Sequence, residues 1–256
     1  MQSLNAIATE LVYLLKSHFN RCSLKYMTSS QQFNNDSIWH IYNRGVERKD
    51  VFLQTADYLR FILNLYEFND SAPALNLGYH LDKSPIEVRL QYPRKEQLVD
   101  ILAFCLMPNH YHLMVQQRVE NGITMFMRKL GTGYTNYFNT KNDRVGPLFQ
   151  GKFKSVLIER EAHFIHLPHY IHLNPLDLKD PEWRNGTVKN PEKLLASLAS
   201  YRWSSLPDYL NTPNFPTVTN RKFLTECIGR SHDFQSAMQD WIRTPNFDFV
   251  QKVTLE

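Results

Sequence analysis

The chain is predicted to be α+β: a ferredoxin-like antiparallel sheet with helices packed on it, followed by an irregular helical C-terminal extension. Three observations carry this expectation. Short runs at 37–43, 98–107, 111–117 and 153–159 read as strands, and the one at 111–117 alternates with a period of two. Apolar residues recur at three- and four-residue spacing over 55–69 and 122–139, and a helix is expected over 161–173. The order strand, helix, strand, strand, helix, strand, helix suits an antiparallel sheet backed by helices, and not the regular strand–helix alternation of a (β/α)8 barrel.

In chain order, residues 1–36 form an N-terminal extension, with a short amphipathic stretch at 4–19 and a polar segment without periodicity at 28–37. Met27 is a candidate start, which would make the first 26 residues a reading-frame extension. The main domain is expected over 37–178. Its first strand ends at Arg44-Gly45, where glycine permits a turn. The helix at 55–69 places Tyr58, Phe61, Ile62, Leu65 and Tyr66 on one side. An excursion rich in proline follows at 71–97, with room for a short strand at 86–92. Pro108-Asn109 then turns one strand into the next, and Gly146-Pro147 leads into the fourth. The helix at 161–173 stops at Pro175, which disfavours helix at Asn174. Residues 179–256 hold short helices at 191–200, 221–229 and 234–242 and no chemistry that the sequence displays.

Composition is that of an ordinary globular protein, 43% hydrophobic and 21% charged over 256 residues. No run approaches the roughly 18 apolar residues of a membrane span, and the start lacks the pattern of a signal peptide. The three cysteines, Cys22, Cys105 and Cys227, have no metal-type spacing and fit a reducing cytoplasm. From residue 175 onwards Lys+Arg and Asp+Glu balance, so the net charge of +4 arises in the first 174 residues. Much of it lies at 128–154, where Arg128, Lys129, Lys141, Arg144, Lys152 and Lys154 face a single acid, Asp143, with Tyr134, Tyr137, Phe138, Phe149 and Phe153 interleaved. Cations with aromatic platforms suit single-stranded nucleic acid; a solvated helix face over an aromatic core explains the same residues.

The stretch 107–115, MPNHYHLMV, is the most informative. On a strand His110, His112 and Met114 point one way and Tyr111, Leu113 and Val115 the other. Two imidazoles on one face are half of a metal site. A second stretch, 163–175, reads HFIHLPHYIHLNP, and on a helix His166, Tyr170 and Asn174 share a stripe. A phenolate can attack a phosphodiester and become covalently attached to phosphorus, given help with its proton or its charge. A divalent cation on His110, His112 and the amide oxygen of Asn174 would polarise the phosphate, and that ligand set suits Mg²⁺ or Mn²⁺ better than a closed zinc site. His163, His166, His169 and His172 are not assigned as ligands. Each element alone is also compatible with plain packing; their combination is what points to a site.

Four segments, HIYNRGVERKDVF (40–52), AFCLMPNHYHLMV (103–115), GPLFQGKFKS (146–155) and HYIHLNPLD (169–177), closely resemble the REP-associated tyrosine transposases. These are relatives of the single-tyrosine HUH transposases of small bacterial insertion sequences. The resemblance spans about 38–208, because YRWSSLPDYL (201–210) also looks like their downstream segment. It implies a nuclease domain over 37–178 that nicks single-stranded or hairpin-bearing DNA and transfers strands through a 5′-phosphotyrosine. On these motifs His110 and His112 match the metal-binding pair, Tyr170 the nucleophile and Asn174 the ligand one turn later. Asn43, Arg44 and the 146–154 segment, with Lys152 and Lys154, match motifs expected to touch DNA, and Arg128, Lys129 and Arg144 of the basic run are expected to bind DNA beside them. One nucleophilic tyrosine per chain favours a homodimer for paired cuts, which the resemblance also implies. The alternative reading is a catalytically silent protein that binds DNA hairpins.

Overall fold

The computed structural model describes residues 33–73, 90–91, 96–185, 190–229 and 231–244. The stretch 4–19, Met27 and most of the strand expected at 86–92 lie outside them. Strands β1 (Ile38–Arg44), β2 (Val99–Met107), β3 (His110–Gln117) and β4 (Lys154–Leu157) form one sheet in the order β2-β3-β1-β4, every neighbour antiparallel. Helix α1 (Thr55–Glu67) links β1 to β2 and helix α2 (Gly122–Lys141) links β3 to β4. Two interleaved βαβ units of this kind are the ferredoxin-like arrangement, as the sequence predicts.

The strand pleat divides the residues between two cores. Trp39, Ile41, Ile101, Phe104, Leu106, Tyr111, Leu113 and Val115 pack on one face against Phe61, Ile62 and Leu65 of α1 and Ile123, Phe126, Leu130 and Tyr134 of α2. Asp57 fastens these two helices: it accepts hydrogen bonds from Leu53 N, Gln54 N, Tyr137 Oη and Lys141 Nζ. Burial would raise its carboxyl, but these donors outweigh burial and hold it below the usual range.

The other face carries Ala103, Cys105, Met107 and Met114, and is covered by α3 (Glu161–Leu173), α4 (Pro191–Ala199), α5 (Leu206–Tyr209), α6 (Arg221–Ile228) and α7 (Ser231–Arg243). The C-terminal segment also seals the open edge of β2, whose outward groups would otherwise be orphaned. Leu106 N donates to Trp203 O (2.9 Å), Ser205 N to Phe104 O (3.0 Å) and Asn220 N to Ile101 O (2.8 Å). The phenols of Tyr201 and Tyr209 donate to Leu106 O and Leu102 O.

At one end of the sheet three loops lock together. Gly45 N donates to Asn109 O, Val46 N to Leu148 O, Gln150 N to Arg44 O and Val51 N to Pro108 O. Gly45 is needed there for space: a Cβ would lie 2.1 Å from Lys49 O.

Helix α3 is buried on nearly all sides, which is why no clean amphipathic stripe marks it. His169 donates from Nδ1 to Ile165 O at 2.9 Å and stacks on Phe234, centroids 4.8 Å apart. His172 Nε2 lies 2.8 Å from Ser205 Oγ. Burial pushes His169 down to about 4 and His172 down to about 3. An unfolded histidine takes a proton near pH 6.5, so the stability held by a neutral buried ring is complete above that pH and is lost as pH falls towards the folded value. Denaturant titrations are expected to show wild type losing roughly 3 kcal/mol on account of His169 between about pH 6.5 and 4. His169→Phe should lose less over the same window.

Candidate active site

The β1–β3 register sets the site. Arg44 pairs with His110, Tyr42 with His112 and His40 with Met114, so these side chains share one face of the sheet. Helix α3 crosses that face and brings Tyr170 to the histidines. The Tyr170 ring stands edge-on to His112, centroids 5.8 Å apart, and to His40 at 6.3 Å. His110 and His112 meet at 5.0 Å with perpendicular planes.

The ring nitrogens are sorted by their neighbours. Asn109 Nδ2 donates to Arg48 O (3.1 Å), which turns Oδ1 towards His110 Nδ1 at 2.6 Å. An oxygen acceptor there makes Nδ1 the protonated nitrogen of His110, and Nε2 the nitrogen suited to a metal. His112 Nδ1 is engaged by His40 Nε2 at 2.9 Å, so Nε2 is again the nitrogen its ring has for a ligand role. Asn174 caps α3 and is fully buried; its Nδ2 donates to Tyr170 O (2.8 Å), and its Oδ1 accepts no hydrogen bond. Two imidazole nitrogens and a buried amide oxygen fit a hard, open-sided divalent cation. Among the described residues no three His, Cys, Asp or Glu side chains gather into a metal cluster.

The C-terminal segment contributes to the same place. Arg184 lies over the Tyr170 ring, its Cζ 5.7 Å from the centroid, and is held by Asp177 through Nε (3.0 Å) and Nη2 (2.8 Å). Trp183 Nε1 donates to the same carboxylate at 2.7 Å. Under this cover Tyr170 is only 3% exposed.

The basic set is divided. Arg44 is half-buried on the histidine face, and Lys152 and Lys154 are exposed at the nearby edge, Lys154 Nζ lying 5.7 Å from the Tyr42 ring centre. Asn43 clamps the neighbouring loop, donating from Nδ2 to Gly151 O and accepting from Arg44 N. Arg128 and Lys129 sit on α2, across the sheet from the histidines. Lys129 is tied to the carbonyls of Asp70 and Ala72, and Arg144 to Asn139 Oδ1 and Pro147 O. The interleaved aromatics Tyr134, Phe138 and Phe149 are core residues at 0%, 4% and 6% exposure, not platforms for bases. His166, expected on the stripe of Tyr170 and Asn174, packs on Trp241.

Sequence reasoning missed His40, Tyr42 and Arg184. His40 and Tyr42 alternate with Arg44 on β1, but only the pairing with β3 puts them beside His112. Nothing local marks Arg184.

Residues 82–174 match the family model described as "Transposase IS200 like". No curated protein matches the chain. A solved structure described as "Structure of the REP associates tyrosine transposase bound to a REP hairpin" is similar at 14% identity, over 75% of this chain and 90% of that one, with a TM-score of 0.43. The matched stretch runs from before β2 to Asn174 and includes the histidine pair and Tyr170, and over it the chain is similar to the IS200-like transposases.

Proposed function

We propose that the protein is a transposase-type endonuclease that cuts single-stranded or hairpin-bearing DNA by transesterification at Tyr170. The observation that carries this reading is the Tyr170 ring set edge-on to His112, 5.8 Å away, on the face that holds both histidines. The Tyr170 Oη–phosphorus bond forms as the phosphorus–O3′ bond breaks; the phenol gives up its proton and the departing 3′-oxygen acquires one. The product is a 5′-phosphotyrosine, which conserves the phosphodiester energy for rejoining. Nε2 of His110, Nε2 of His112 and Oδ1 of Asn174 would hold Mg²⁺ or Mn²⁺, which when bound supplies Lewis-acid polarisation of the phosphate. Arg44, Lys152 and Lys154 neutralise phosphates of the strand along the same edge. Buried helices and sheet around Tyr170 exclude water that would compete as the nucleophile. One nucleophilic tyrosine per chain makes a homodimer the economical form for two coordinated cuts.

The cover of Arg184 over a tyrosine only 3% exposed favours a second reading, in which the chain binds hairpins without chemistry. A single-stranded oligonucleotide labelled at its 3′ end separates the two. With Mn²⁺ the full chain should acquire label resistant to denaturation, and Tyr170→Phe should acquire none. An adduct of wild-type strength in Tyr170→Phe would remove Tyr170 from the reaction, and hairpin binding without an adduct in any divalent metal would favour the second reading.

The division of the basic residues gives a further expectation. Lys152→Ala with Lys154→Ala should weaken single-strand binding and reduce the slope of log affinity against log salt by about 1 to 1.5. Lys129→Ala should leave that slope unchanged while lowering the melting temperature, because its ammonium binds the chain's own carbonyls.

A further inference from the structure

His40 has no part in the ligand set, yet it is fully buried against it. Its Nε2 lies 2.9 Å from His112 Nδ1, the ring planes are 15° apart and the centroids 5.1 Å apart. Nearly coplanar rings meeting edge to edge are what an in-line N–H···N bond requires. Both imidazoles are 0% exposed, and the pair is held in place by the rings of Tyr42, 5.1 Å from His40, and Tyr170. A single hydrogen lies between the two facing nitrogens, and the tautomers decide which ring donates it. A His112 that offers Nε2 to a cation must carry its own hydrogen on Nδ1, which makes His40 Nε2 the acceptor and places the His40 hydrogen on Nδ1. Asn109 Oδ1 performs the same service for His110. The two ligands are therefore oriented by two different acceptors, an amide oxygen in the hairpin turn and an imidazole nitrogen in β1.

We propose that His40 is a positioning residue: it fixes His112 in the Nδ1–H tautomer and in the ring orientation that presents Nε2 on the site face. This rests on the reading of His110 and His112 as metal ligands. Partners of this kind alter metal affinity by about 10- to 100-fold when removed. His40→Phe keeps a flat ring in the pocket but has no acceptor, whereas His40→Gln carries Oε1 close to where Nε2 stands.

The full chain, labelled with ¹⁵N-histidine, is examined without metal by long-range ¹H–¹⁵N correlation and then titrated with Mn²⁺ while free Mn²⁺ is followed by electron paramagnetic resonance. Wild type should show His112 protonated at Nδ1. His40→Phe should bind Mn²⁺ about 10- to 100-fold more weakly, and His40→Gln should recover most of that loss, while melting curves without metal report folding separately. A wild-type His112 protonated at Nε2 overturns the proposal even if His40→Phe fails to fold. So does a folded His40→Phe with wild-type Mn²⁺ affinity. If His110→Ala leaves Mn²⁺ affinity unchanged, the ligand reading itself falls, and the role of His40 falls with it.

Discussion

The pairing of β1 with β3 is the constraint on which the site depends. Its register sets Tyr42 opposite His112 and Arg44 opposite His110, so one face carries His40, Tyr42, His110 and His112 together. Because side chains alternate along a strand, a slip of one residue would turn His40 and Tyr42 into the α1–α2 core and Trp39 and Ile41 into the site. Burial of Trp39 and Ile41 at 2% and 0% exposure makes that slip costly. The hydrophobic effect on one face of the sheet thereby fixes the polar geometry on the other.

The remaining architecture divides along the same sheet. Helices α1 and α2 form a packing layer, where Lys129 and Lys141 close internal contacts. Helix α3 and the segment after it form the other layer, which brings Tyr170 to the histidines, lays Arg184 over its ring and caps the open edge of β2. A chain cut near residue 178 would lose the acceptors and donors that serve Ile101, Phe104 and Leu106. The C-terminal segment, without visible chemistry of its own in sequence, therefore supports the strand next to the histidine strand.

Much of this was legible beforehand, for physical reasons. The strand at 110–117 follows from its period of two, and the helix at 122–141 from Ile123, Phe126, Leu130 and Tyr134, all of which are buried. Tyr170 stands against His112, which in turn meets His110. What stayed hidden depends on contacts distant in sequence. Charge alone does not tell a lysine on solvent from one gripping carbonyls, so Lys129 and Lys152 looked alike. Tyr134 and Phe149 looked like base platforms because aromatic residues serve cores and nucleic acids equally well. His40 lies 72 residues from His112, and no single sequence reveals their bond.

The most direct measurement is to map the covalent bond. After the full chain has reacted with single-stranded DNA and Mn²⁺, nuclease trimming and trypsin should release the peptide from Glu161 to Lys179 carrying a nucleotide phosphate. Fragmentation should place it on Tyr170. A phosphate on Tyr42, Tyr134 or any other residue, or a peptide that never gains the mass of a nucleotide, would contradict the assignment.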